Sequence, residues 1–525
     1  MKKIIYTFTA LIGLSLASSC KKYIDINNNP NAPTSVDAST LLPPMLAGMA
    51  RGNWYDSRYI GQYSQIWGAP TANNIWDQEG YAPGSDSGGE MWRTVYFSLG
   101  QNVGLMLQDA TAKNKYDYIG VAWALRAWGW QNGSDEYDYM IVKEAYDPTK
   151  LTFNYDTPEA VYAEVVKDCQ LALNYLNLAV KNDGQTVGAD LAKGDYMYYG
   201  DRKKWIKFVY AILAQNMLHI SNKSSFKPDM VKMYADSSFT SNADNASVQC
   251  TGSQSGDANF WGPTRANLPS FRQSDYMVRL LDGRILAGSA TQDTLADPRL
   301  PLLLSRSKDR AYRGVVAPLG DPNTADANTS IPAMAGATTA NAATSAAKYI
   351  FNDNSRGVLM TYPEVQFFVA EALYKKGDVE GAYAAYKKGI AASLDFVSNP
   401  PIASSLTGTQ KYISQANIDK YMAGPSVRQS AGQLQISDIM QQKFISLFVW
   451  GAPEAWADMR RYEYNTSVFQ GYVKPTTIYP DNAGKQVYLL RPRYNSEYIW
   501  NVPALQQIGA LNPDYHTKKP WFILP

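Results

Sequence analysis

Residues 363–396, PEVQFFVAEALYKKGDVEGAYAAYKKGIAASLDF, read as two helices folded back on one another. Val365, Phe368, Val369, Ala372 and Leu373 recur at the 3.6-residue period and form one apolar stripe. Pro363 suits the first turn, where its missing N–H costs nothing, and Gly377 suits the left-handed residue that ends a helix. Asp378 is placed to cap the next helix, in which Val379, Ala382, Tyr383, Tyr386 and Ile390 form a second stripe. Ala370 and Ala382 are small enough to let the two helices approach closely.

The order Val369-Ala370, Leu373, Gly377-Asp378, Ala382, Tyr386 resembles a tetratricopeptide repeat without its terminal proline. The same design recurs along the chain. Thr157-Pro158-Glu159 opens a helix carrying Val161, Tyr162, Val165, Cys169, Ala172 and Leu176 at helical spacing. Its partner starts at Asp201 and turns Trp205, Phe208, Val209, Ile212 and Leu213 inward, while Tyr118 to Trp130 and Ile439 to Trp450 read as further helices. The predicted fold is mainly α, a tetratricopeptide-like helical-hairpin superhelix with long loop insertions. Residues 41–525 are expected to form one domain, with insertions near 53–81, 225–350 and 465–525. Residues 316–347 are rich in Ala, Thr, Asn and Gly and poor in aromatics, so a long surface loop is expected there.

The other end of the chain carries an export signal. Lys2 and Lys3 precede the apolar run Ile4 to Ala17, about 14 residues and too short to span a bilayer comfortably. Ala17-Ser18-Ser19-Cys20 resembles a bacterial lipobox, which implies removal of residues 1–19 and acylation of Cys20. Several acyl chains at about 0.8 kcal/mol per buried methylene hold a protein on a membrane without a spanning segment. Residues 20–40, with Pro30 and Pro33 among four asparagines, read as an extended lipidated tether.

Composition narrows the partners. Loss of Lys2 and Lys3 with the leader takes the formal charge from +2 to 0, so nucleic acid is not an evident electrostatic partner. Only Cys169 and Cys250 remain beside Cys20, which rules out a disulfide scaffold or a multi-cysteine zinc site and leaves one disulfide open. No cofactor is expected, with an oxygen-rich calcium site from distant loops as the open alternative. The 13 Trp and 37 Tyr are more than a helical core of this size evidently needs, so part of them is expected on a binding surface.

Near the C-terminus, QQKFISLF at residues 441–448 leads into GAPEAWADMRR at residues 451–461. A helix ending at Gly451 and another opening with Pro453 and Glu454 is the physical reading, with Glu454 and Arg461 as a candidate ion pair. This stretch closely resembles the signature of the SusD/RagB family, in which the glutamate, tryptophan, aspartate and twin arginines recur. The likeness extends to Tyr155–Tyr162, Asp201–Phe208, Asp297–Leu300 and Arg491–Asn501, and departs from the family at Tyr137–Val142. It fits the subfamily of starch-binding-associated outer-membrane lipoproteins. The resemblance implies a non-catalytic lipoprotein on the cell exterior, lying over a SusC-type TonB-dependent transporter and delivering oligosaccharides to it. Peptides are the alternative cargo, and a surface glycoside hydrolase the enzymatic rival.

Sugar C–H faces stack on aromatic rings, while amides, carboxylates and guanidinium groups take the hydroxyls. Residues 53–81 interleave both kinds. Trp54, Trp67, Trp76 and Tyr81 are the expected platforms, Asp56, Asn74 and Asp77 the expected hydroxyl partners, and Arg356 a further candidate in a turn. Ser85-Asp86-Ser87-Gly88-Gly89 is similar to a serine-protease nucleophile region, but His219 and His516 both follow it, the wrong order for that triad. His219 lies in an apolar helix and reads as a core residue.

Overall fold

A computed structural model describes residues 36–182, 191–334, 349–400 and 413–525. Cys20, the leader, nearly all of the tether and most of the Ala-rich part of residues 316–347 lie outside the described residues. Among those described, the helices of seven residues or more are α1 (Ala38–Tyr63), α2 (Gly100–Ala112), α3 (Tyr116–Tyr137), α4 (Pro158–Lys181) and α5 (Arg202–His219). They continue with α6 (Pro228–Asp236), α7 (Asp275–Leu281), α8 (Tyr362–Lys376) and α9 (Val379–Ser398). Last come α10 (Gln415–Met422), α11 (Ile436–Ser446), α12 (Ala452–Arg461) and α13 (Val502–Ile508). Each of α2 to α5 packs on the next in sequence, α6 then meets α8, and α8 packs on α9. This is the stacked order of a helical-hairpin superhelix.

The hairpin of residues 363–396 is α8 and α9. Thr361 and Glu364 cap α8 reciprocally, Glu364 N donating to Thr361 Oγ1 (3.4 Å) and Thr361 N to Glu364 Oε2 (3.0 Å). Gly377 ends it at φ 89°, and Asp378 accepts from Gly381 N to start α9. The two helices come close at Gly389, where an added Cβ would lie 2.9 Å from the Phe367 ring, and at Gly381, where one would lie 2.8 Å from Leu373 Cδ1. Val379, assigned to the buried stripe from its spacing, is 40% exposed instead. Thr157 and Asp201 cap α4 and α5 as their sequences indicate.

Strand structure is slight. β1 (Trp67–Gly68) pairs antiparallel with β3 (Arg272–Gln273), and β2 (Ala246–Val248) with β4 (Gly357–Met360). Cys169 and Cys250 are both buried and unpaired by any disulfide. Contacts divide the chain after Asp37, with Ala38–Pro525 one compact unit.

All three expected insertions have more structure than a loop, residues 225–350 holding α6, α7, β2 and β3. α1 continues through Tyr63, so residues 53–63 belong to a helix. Residues 465–525 fold back on the body: Leu490 N donates to Glu136 O (2.8 Å), and Leu489, Leu505, Ala510 and Tyr515 form a core cluster of their own.

The C-terminal signature lies inside the molecule. Glu454, Asp458, Arg460 and Arg461 are all buried. Glu454 and Arg461 do not pair with each other. Glu454 instead takes Lys443 Nζ at 2.6 Å and His219 Nε2 at 3.0 Å, while Arg461 forms a fork on Glu371 at 2.6 and 2.8 Å and also reaches Asp458. Lys443 lies 2.7 Å from Asp458, and His219 Nδ1 lies 3.1 Å from Asp135 on α3. Burial alone would lower the His219 pKa, but Asp135 and Glu454 on either side override it and raise it to about 9. Arg460 lies 3.7 Å over the Trp456 ring and donates to the carbonyls of Asp135 (2.6 Å) and Tyr488 (2.9 Å). One ionic cluster thus ties α3, α5, α8, α11 and α12 together.

Candidate ligand-binding surface

The helical period places Arg51, Tyr55, Arg58 and Tyr59 on one face of α1, and that face reaches solvent. The Arg58 guanidinium lies 4.5 Å from the Tyr55 ring centre, 5.2 Å from Tyr59 and 5.6 Å from Phe260. Arg51 lies 4.6 Å from Tyr55 on the preceding turn and pairs with Glu90 at 2.6 Å. Tyr59 rests on Trp76 with ring centres 4.3 Å apart. Guanidinium groups over rings fix both partners, which preorganises the shelf. Arg58 donates its Nε to Tyr55 O (3.2 Å), which holds the partly exposed guanidinium on an aromatic floor.

The segment of residues 53–81 contributes differently from its composition. Trp67, 1% exposed, fills the space left by Gly61, where a Cβ would lie 2.1 Å from the indole, and packs on Trp261 and Phe271. Trp54, 8% exposed, covers Gly357 and stacks at 6.3 Å on Phe260. Trp76 is the buried support of Tyr59. Asp56 accepts from Met91 N (2.6 Å) and Glu90 N (3.2 Å), and burial pushes its carboxyl up to about 7 against those donors. Asp77 accepts from Gln62 Nε2 (2.6 Å) and Ala69 N (2.9 Å), and burial raises it to about 6. These five residues therefore hold loops onto helices, a correction to their expected contact with ligand: their faces and oxygens are spent within the chain.

Asn74, Tyr81 and Arg356 are partly exposed. Asn74 Oδ1 accepts from Gln62 Nε2 and Trp76 N, both at 3.0 Å, which sets its amide beside the Tyr59–Trp76 pair. Tyr81 lies apart from that shelf. Its hydroxyl donates to Asp481 (2.7 Å), and Arg491 lies 4.1 Å over its ring. Arg356 is also apart, and its three nitrogens are engaged by Ser247, Tyr199 and the carbonyls of Tyr196 and Met197. Its expected contact with ligand gives way to a structural one. The partly exposed tyrosines of α1 were within the same segment, and extending the 3.6-residue period from Leu41 to Tyr63 would have singled them out.

His516 is 1% exposed, with Nε2 2.6 Å from Asn482 Oδ1; burial and the nearby Arg491 hold its pKa down to about 3. Among the described residues, no group of three or more His, Cys, Asp or Glu is arranged to hold a metal ion. No described helix is long and apolar enough to cross a membrane.

The fold is thus a helical-hairpin superhelix that carries an aromatic–guanidinium shelf on α1. A family profile described as starch-binding, associating with outer membrane, matches residues 30–478, and the chain belongs to this SusD-like family, whose members are non-catalytic binding proteins. Solved structures share the fold. A SusD/RagB family protein from Bacteroides thetaiotaomicron has 21% identity and a TM-score of 0.65, with 93% of this chain and 99% of that one covered. A SusD homologue from Parabacteroides distasonis has 17% identity and a TM-score of 0.68 over 93% and 98%. A chitin-binding SusD homologue from Flavobacterium johnsoniae has 18% identity and a TM-score of 0.64 over 93% and 98%. No curated protein matched the chain.

Proposed function

We propose that this chain is a surface lipoprotein, acylated at Cys20, that binds oligosaccharides outside the outer membrane and passes them unaltered to a SusC-type TonB-dependent transporter. The observation that carries this reading is the α1 shelf, where the partly exposed rings of Tyr55 and Tyr59 and the Arg58 guanidinium stand beside the Asn74 amide. That mixture suits a neutral sugar, which presents C–H faces to the rings and hydroxyls to the donors. Membership of an outer-membrane-associating family and the chitin-binding relative support the location and the ligand class. A delivery protein needs moderate affinity for an intact ligand rather than for a transition state.

A glycan and peptide array, followed by calorimetry on the hits, tests the reading. The paired substitution Arg58→Ala/Tyr59→Ala is expected to weaken the oligosaccharide hit by about tenfold or more, close to 1.4 kcal/mol, with no new reducing ends formed by the unsubstituted chain. Peptide hits without a glycan hit would overturn the ligand class, and undiminished glycan binding by the paired variant would remove the shelf from the site.

A further inference from the structure

We propose a second carbohydrate-binding surface, formed by the rings of Tyr196 and Tyr199 in the segment that leads into α5. It rests on the reading of the protein as a glycan binder and adds a place where a long chain is held away from α1.

Both rings reach solvent, Tyr196 at 48% and Tyr199 at 54% exposure, while Tyr198 between them is buried against Trp205 with ring centres 5.5 Å apart. The main chain beneath them is built rigidly. Asp195 accepts from Met197 N (3.1 Å), Tyr198 N (3.0 Å), Gly200 N (2.8 Å) and the Trp205 indole (2.9 Å). Arg356 reaches in from the start of β4 and donates to Met197 O (2.8 Å), Tyr196 O (3.2 Å), Ser247 Oγ (2.8 Å) and the Tyr199 hydroxyl. The Tyr199 hydroxyl donates onward to Gln249 Oε1 at 3.2 Å. Tyr199 itself is held at φ 54°, a left-handed conformation that bulky residues rarely adopt. Backbone strain of this kind persists only where its surroundings over-determine it, and here it turns a large ring outward instead of into the core.

The chemistry of the rim selects the ligand. Arg356 lies 5.2 Å from the Tyr199 ring centre, and its donors are engaged by the loop's carbonyl and hydroxyl oxygens. The Gln249 amide and the tyrosine hydroxyls are uncharged donors and acceptors. Rings with two torsions each, on a main chain fixed from below and with the Tyr199 ring held by Arg356 and Gln249, suit stacking on the C–H faces of an uncharged pyranose chain.

Affinity electrophoresis of the purified chain in gels containing starch, xylan or glycol chitin provides the test. For whichever polysaccharide retards the unsubstituted protein, Tyr196→Ala/Tyr199→Ala is expected to weaken retention by about tenfold, and Tyr199→Phe, which keeps the ring, by less than about twofold. Thermal melts of both variants are read alongside, since each also loses the Tyr199 hydroxyl bonds to Arg356 and Gln249, and retention is compared at a temperature where both remain folded. Undiminished retention of the double alanine variant would overturn the second surface and leave the α1 reading standing. A loss with Tyr199→Phe equal to that with alanine would overturn stacking, since only the hydroxyl had been removed. No retention of the unsubstituted protein by any of the polysaccharides would overturn the glycan reading and this surface with it.

Discussion

His219 shows how far one residue's chemistry depends on partners distant in sequence. The imidazolium is flanked by Asp135 and Glu454, so its pKa rises from the ordinary 6.5 to about 9. A raised folded-state value means that the histidine's contribution to stability is complete below pH 6.5 and is lost as pH rises through about 9. Denaturant titrations at about pH 6 and 9.5 should show the native protein losing on the order of 3 kcal/mol more than His219→Gln over that interval. Equal losses would mean that the ring is neutral in the folded state. The apolar periodicity of α5 showed that His219 faces inward, but nothing near it in the sequence pointed to the two carboxylates. The tryptophans of residues 53–81 teach the converse. Composition identified a segment rich in rings and amides, yet Trp67 is buried and Tyr59 partly exposed because of Gly61 and a strand pairing with residue 273.

At the level of the helix, local signals were reliable. The caps at Thr157, Asp201 and Asp378 and the left-handed Gly377 all stand where apolar periodicity and turn chemistry place them. These features are legible because each involves residues within one turn of one another. What periodicity did not supply was the contact between helices. Ala370 and Ala382 were the natural choices for close approach, and Gly389 against Phe367 is a further close point that periodicity did not single out. Gly389→Val should therefore force the ring aside and destabilise the protein by about 1–3 kcal/mol, read as a lowered melting temperature. Gly389→Val combined with Phe367→Leu should recover part of that loss, and no recovery would place the strain elsewhere.

Across the whole molecule, the residues that identify the family are the residues that hold its hairpins together. Arg461 on α12 grips Glu371 on α8 while Lys443 on α11 bridges Glu454 and Asp458, all away from water. Arg461→Met leaves Glu371 buried without its fork and should cost about 3–5 kcal/mol, whereas Arg461→Met with Glu371→Leu should cost less. Unfolding curves for the two variants decide between a removed ion pair and a stranded charge. The superhelix was legible as repeated hairpins, but the ionic cluster was not, because its members come from five helices spread over more than three hundred positions. None of that cluster touches the α1 shelf or the exposed tyrosines before α5. Recognition can accordingly be rewritten on this scaffold as a graft: a protein engineer could exchange the outward rings for another specificity while leaving the interior weld, and with it the chassis, untouched.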